Sequence, residues 1–350
     1  MVLVLGVSAG AGGARAVLTH SDQPHLPPIE RCHVARRAGG GVEEPVLEAI
    51  VRMRRSADQR DELISGTAVT CRCPLHAESI RAGAGDEPLT IVDEPLAQLR
   101  YLRFTGQLPD SGTVILYDLG ASGLTLTHVD CRTDAVLSSK HSTVLGGDGY
   151  DALLRWQLAR SGISADAHAS REHRESLSRT RVVTAADADT GGRAVLTRSD
   201  LAALCEAGLH HSASFVRLLI EETGVRPGAL ALLGGCTRNP SLRADLGRLI
   251  GLPTVYDPEP EYVSARGAVL LCARRPSARL RMPRRGAGVI GVAPRASHRK
   301  LLAAVAVTAT LGGTVVGLLS NDNTSARSPE EGTAPTTAHF IDGAPRWKPN

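Results

Sequence analysis

Lysine is nearly missing from this chain: Lys140, Lys300 and Lys348 are the only three among 350 residues. Arginine carries the positive charge instead, a composition typical of a high-GC genome. Aromatic residues amount to 3%, too few for the stacking platforms that hold single-stranded nucleic acid. Charge of either sign is not in excess, with 40 Lys and Arg against 36 Asp and Glu, so the basic footprint of a nucleic-acid binder is absent. The seven cysteines are scattered and odd in number, and Cys71-x-Cys73 has no second pair at zinc-ligand spacing. That excludes a zinc finger and a disulfide framework, and leaves buried, reduced thiols. A secretory leader is not expected either. The apolar run at residues 2–7 is short and no basic residue precedes it.

One absence is local. From Arg274 to Lys300 there are nine Lys and Arg and no Asp or Glu, and residues 301–319 then carry no charge at all. As a helix that stretch is about 28 Å long, close to the ~30 Å of a bilayer's hydrocarbon core. The basic flank marks the cytoplasmic side. The reading is a basic juxtamembrane linker over 276–298, a single transmembrane helix over 299–320 and a disordered extracytoplasmic tail over 321–350. The N-terminal region, 1–275, is then cytoplasmic and all the cysteines fall on the reducing side. Gly313-x-x-x-Gly317 in the span has the spacing of a helix-dimer face, hence a homodimer expectation.

What the chain does have is glycine turns behind strands. Residues 113–127 read T-V-I-L-Y-D-L-G-A-S-G-L-T-L-T. The β-branched run predicts a buried strand that ends at Asp118, then a small-residue turn, then a second alternating strand. Glycines let backbone N–H groups approach an anion, and a carboxylate beside them suits hydrated Mg²⁺. A plain tight hairpin is the alternative. Residues 2–7, the turn 8–13 and residues 14–19 repeat the pattern about 110 residues earlier, which points to an internal duplication.

Between and after these hairpins the periodicity predicts helices over 45–56, 95–104, 150–158, 166–178, 197–222, 241–250 and 260–274. Strands are expected at 68–71, 89–92, 135–145, 229–233 and 254–256, and residues 24–41 read as a loop. Gly146-Gly147 opens the helix at 150–158, a position suited either to an anion or to ordinary capping by Asp148.

The order of these turns resembles the nucleotide-binding domain of heat-shock-protein-70 (DnaK-like) chaperones in the actin-like ATPase superfamily. Asp118-Leu119-Gly120-Ala121-Ser122-Gly123 looks like the family's D-L-G-G-G-T, and Asp93-Glu94-Pro95 like its N-E-P. Leu145-Gly146-Gly147-Asp148 resembles L-G-G-E, and Leu233-Gly234-Gly235-Cys236-Thr237-Arg238 resembles the adenosine loop V-G-G-S-T-R. The resemblance implies an α/β fold: a reduced actin-like ATPase with two lobes flanking a nucleotide cleft. It implies ATP or ADP as ligand. Arg174, Ser178, Gly234, Gly235 and Arg238 would line the adenosine, and Gly10, Gly12, Gly120, Ser122, Gly123, Gly146 and Gly147 the phosphates. Asp118, as metal ligand, and Glu94 would be the catalytic carboxylates.

Departures from the family pattern temper that expectation. Ser8 and Ser142 stand where the resemblance calls for carboxylates around Mg²⁺, and no lysine precedes Lys140 to serve as the family's catalytic lysine. A hydroxyl cannot neutralise a divalent cation as a carboxylate does. The family's peptide-clamping domain and lid have no counterpart in the sequence. The expectation is a membrane-anchored, chaperone-like module that binds nucleotide with weak or no hydrolysis and serves as scaffold or sensor. An active ATPase with an atypical metal site and a nucleotide-free interaction platform remain open, and the protein partner is unknown.

Overall fold

The computed structural model describes residues 2–187 and 189–273, which fall in one compact unit. The expected linker, membrane span, tail and Gly313/Gly317 face lie outside the described residues. Among the described residues no helix is long and apolar enough to cross a membrane.

The chain builds one sheet twice. The first runs through β1 (Val2–Gly10), β2 (Gly13–His20), β3 (Glu30–Ala35), helix α1 (Glu43–Asp58), β4 (Leu63–Cys71), α2 (Pro74–Ala84), β5 (Leu89–Asp93) and α3 (Glu94–Phe104). Its strand order is β3-β2-β1-β4-β5. The second comprises β6 (Thr113–Leu119), β7 (Leu124–Asp130), β8 (Ala135–Ser142), α4 (Gly147–Arg160) and α5 (Ala167–Arg179). It continues through α6 (Arg198–Thr223), β11 (Ala229–Leu233), α7 (Pro240–Ile250), β12 (Thr254–Tyr256) and α8 (Val263–Ala273). Its order, β12-β11-β6-β7-β8, repeats the first with β6 in the place of β1. In both sheets the first three strands meander antiparallel, and the remaining two join parallel through helical crossovers. Strands β9 (Val182–Ala186) and β10 (Arg193–Thr197) form a separate hairpin between α5 and α6.

Each sheet is covered by helices with an apolar face. Leu3, Leu5 and Val7 pack with Val46, Ile50 and Met53 of α1. Tyr117, Leu119, Leu124 and Leu126 pack with Leu154 and Leu158 of α4 and with Leu209 and Val216 of α6. The two halves are joined where α3 crosses α8. A Cβ on Gly267 would collide with the carbonyl of Ala97, and one on Gly6 of β1 with the carbonyl of Ala265. The small residues of the 260–274 helix are therefore needed where backbone meets backbone.

Two expectations are corrected. Residues 24–41 are not all loop: they contain β3, an edge strand whose Cys32 and Val34 point inward while Arg31, His33 and Ala35 are exposed. The prolines before it and its outer charges hide that period, as suits an exposed sheet edge. The helix α2 and the hairpin β9–β10 also escaped the periodicity, because few of their side chains are buried. Helix α6 is capped by Thr197, whose hydroxyl accepts from the Asp200 amide at 3.1 Å while the Asp200 carboxylate accepts from the Thr197 amide at 2.8 Å.

Candidate functional site

The turn of the β1–β2 hairpin and that of β6–β7 face each other. A Cβ on Gly12 would stand 3.2 Å from the Cβ of Ala121. Between and beside them lies a cleft of about 420 Å³. Its walls hold Ser8, Gly10, Gly12, Glu94, Asp118, Gly120, Ser122, Gly123, Arg174, Ser178, Gly234, Gly235 and Arg238. Residues separated by up to 230 positions in the chain are thus gathered at one place by the ends of β1, β6 and β11 and by α3 and α5.

Gly146, Gly147 and Ser142 are not among the lining residues. A Cβ on Gly146 would press on the amide of Gly123 at 2.6 Å and the carbonyl of Ala121 at 2.8 Å. The first two donors of α4 are already used, since Gly147 N–H donates to Gly120 O at 3.0 Å and Asp148 N–H to Ala121 O at 2.9 Å. The glycine pair therefore holds the hairpin from beneath, where the sequence suggested an anion seat. The Ser142 hydroxyl accepts from the Val144 amide at 3.3 Å and closes the turn after β8.

The floor of the cleft is a charged cluster. Arg72, the residue just after β4, reaches across to the second sheet. Its Nη2 lies 2.7 Å from Glu94 Oε2 and 2.7 Å from Asp118 Oδ2, and its Nη1 donates to Thr125 Oγ1. Gln98 Nε2 donates to Asp118 Oδ2 at 2.9 Å, and the Ser264 hydroxyl to Glu94 Oε1 at 3.1 Å. Burial pushes the Glu94 carboxyl above its usual range, against the pull of Arg72 and with the help of the neighbouring Asp118 charge. The sequence reading missed Arg72, although a basic residue at the loop end of a parallel strand was the available signal.

The loop after β11 is tied down by side chains. Gly234 sits at φ +81, and a Cβ there would stand 2.6 Å from Asp118 Oδ1. The Cys236 thiol is buried and donates to Gly120 O at 3.5 Å, which links this loop to the β6–β7 turn. Arg174 is paired through Nε with Asp151 Oδ1 at 2.6 Å, with Asp151 4% exposed. Arg238 pairs with Glu261 at 2.9 Å across the cleft edge. The Ser178 hydroxyl donates to the Glu175 carbonyl at 2.5 Å.

No protein-family model matches the chain. A chaperone protein HscA homolog of Pseudomonas paraeruginosa is 27% identical over 202 residues, 53% of this chain and 32% of that protein. The HscA homolog of Burkholderia ambifaria is 27% identical over 289 residues, 74% of this chain and 45% of its own length. At low identity, the chain has Hsp70-type relatives. It spans less than half the length of these two relatives. Among solved structures, the ethanolamine utilization protein EutJ from Carboxydothermus hydrogenoformans superposes with a TM-score of 0.53 at 17% identity, over 77% of this chain and 89% of that one. That likeness concerns the fold: two mixed sheets of repeated order fit the actin-like ATPase architecture.

The site suits a nucleotide better than it suits a metal. Six arginines and four carboxylates line the cleft (Arg15, Arg72, Arg171, Arg174, Arg179 and Arg238 against Glu94, Asp118, Glu175 and Glu261), and two glycine turns converge there. The carboxylates left for Mg²⁺ are already engaged by Arg72 and its neighbours. Both oxygens of Glu94 and Oδ2 of Asp118 already accept hydrogen bonds, and Asp118 Oδ1 faces Gly234. Among the described residues no group of three His, Cys, Asp or Glu is arranged to hold a metal ion. The residues present do not fit the divalent ion that the resemblance implies.

Proposed function

We propose that this protein is a chaperone-like ATP- or ADP-binding module with weak or no hydrolysis, held at the cytoplasmic face of a membrane by residues 299–320. The observation that carries the reading is the pair of opposed glycine turns above the Arg72–Glu94–Asp118 cluster, in a cleft with more arginines than carboxylates. Glycine turns and guanidinium groups are the chemistry that receives phosphates. Binding without turnover follows from the same residues. Phosphoryl transfer needs charge placed at the reacting oxygens and a positioned nucleophile. Here Ser8 replaces one expected carboxylate, and Glu94 and Asp118 are committed to Arg72. A module of this kind signals by occupancy and acts as a scaffold or sensor.

Calorimetry of the full-length chain with ATP and with ADP, in buffer containing Mg²⁺, tests the binding claim. Saturable heat is expected, and none at millimolar nucleotide would leave an interaction platform as the better description. Phosphate release from the same preparation is expected to stay at the level of the Asp118→Ala variant. Turnover that Asp118→Ala abolishes would make the protein an enzyme.

A further inference from the structure

We propose that Arg72 takes the place of the divalent cation, so that the cleft binds the phosphates of ATP or ADP without Mg²⁺. The proposal rests on the nucleotide reading above and goes further, because it names what neutralises the phosphates. Three observations carry it. First, one guanidinium nitrogen bridges the two carboxylates, at 2.7 Å from each. A divalent ion entering there would have to displace a permanent cation, since arginine does not deprotonate in proteins. Second, the guanidinium is not exhausted. Of the five N–H donors an arginine carries, Nη2 gives two to Glu94 and Asp118 and Nη1 gives one to Thr125, which leaves two. The Arg72 side chain keeps 37% of its surface exposed and lines the cleft, so a ligand in the cleft can reach it. Third, a second cation is at hand. Arg15 lies opposite Ser8 in the β1–β2 register, lines the same cleft and makes no ion pair among the described residues. Its Nη2 stands 3.8 Å from where a Cβ on Gly235 would be. A fork of arginine donors recognises phosphate oxygens directly, with geometry as well as charge. A metal that bridges phosphate to protein is then superfluous.

The test compares nucleotide binding to the full-length chain in excess EDTA and in excess Mg²⁺, by calorimetry with ATP and with ADP. The two dissociation constants are expected to agree within about threefold. Binding in Mg²⁺ that weakens by more than about tenfold in EDTA overturns the proposal while leaving the nucleotide reading intact. No binding in either arm refutes the nucleotide reading itself, and the proposal with it. Arg72→Gln is expected to lower metal-free affinity about tenfold or more, the effect of losing a charge-assisted contact. In the same variant the freed carboxylates should take up Mn²⁺ added alone, seen as loss of the free-ion signal in electron paramagnetic resonance. The wild-type chain should leave that signal unchanged, and uptake of Mn²⁺ at Glu94 and Asp118 by the wild type would overturn the proposal. Circular dichroism reports whether R72Q folds. If it does not, Arg72→Lys keeps the charge and removes the fork, and a smaller loss of metal-free affinity is expected. Unchanged metal-free affinity in the folded variant defeats the proposal.

Discussion

At Asp151 a single buried carboxylate holds the arginine that the resemblance assigns to adenosine. Arg174 approaches it at 2.6 Å, and Arg171 at 3.5 Å shares its other oxygen. Removing one partner of a buried pair strands the other, which costs about 3–5 kcal/mol. Asp151→Ala should therefore lose stability of that order in urea denaturation, and Arg171→Ala, at the exposed rim, far less. His128 makes a second prediction. It is fully buried, and its Nδ1 lies 2.9 Å from the Thr223 hydroxyl. That hydroxyl donates to Leu219 O at 3.0 Å, so the ring must be the donor, with its proton on Nδ1. Nε2 is then a buried lone pair without a partner, and burial depresses the imidazole pKa. Below the ordinary histidine value of about 6.5 the unfolded chain takes a proton that the folded chain refuses, so stability falls as pH drops through that range, by at most about 1.4 kcal/mol per pH unit from this group. Urea melts at pH 7.5 and 5.5 should show the loss, and His128→Asn should flatten it. Asp118 was legible as an acidic residue beside a glycine turn, and Glu94 only through the resemblance of Asp93-Glu94-Pro95 to the family motif. Arg72 was not read, because its place at the loop end of a parallel strand does not tell which carboxylates the fold brings to it.

Among the elements, α3 and α8 decide how the halves meet. Each follows the last parallel strand of its own sheet, and they cross at Gly267 and Ala97. Leu99 and Leu102 of α3 share a core with Leu116, Ala231 and Val263, while Ala97 packs with Ala68 and Val92 of the first sheet, so α3 bridges the two sheets. Gly267→Ala should push the helices apart and destabilise the protein by about 1–3 kcal/mol, the usual cost of overpacking. It should also weaken nucleotide binding, because α3 carries Glu94. Parallel loss of both in thermal melts and calorimetry is the expected result, and a stable variant with full affinity would count against the crossing as the hinge of the site. Strands and helices with strong apolar periods were readable from the sequence, as at β6, β11 and α1. Those with one shallow face, β3 and α2, were not, since their surroundings and not their own composition make them ordered.

For the whole molecule the repeated sheet order explains why two similar hairpins, far apart in the chain, arrive on one cleft. The proposed anchor is a claim about the entire chain. The full-length protein should pellet with membranes and resist carbonate extraction, and deletion of residues 301–319 should release it. Release of the intact chain by carbonate would refute the anchor. A protease acting from outside intact cells should remove an epitope tag placed after Asn350, while the N-terminal region stays protected.

By itself the sequence determined the elements with strong apolar periods and their order. A β-branched run, a glycine turn and an amphipathic period act within a few residues, and local sterics and burial pattern suffice to read them. Only the tertiary structure decided what Glu94 and Asp118 do. Arg72 comes from the first sheet and Asp118 from the second, 46 positions apart, and their meeting depends on how two sheets are docked by α3 and α8. Only the fold, likewise, turned Gly146 and Gly147 from an anion seat into a support for the hairpin, because the donors of a helix terminus go to whichever acceptor the packing brings nearest.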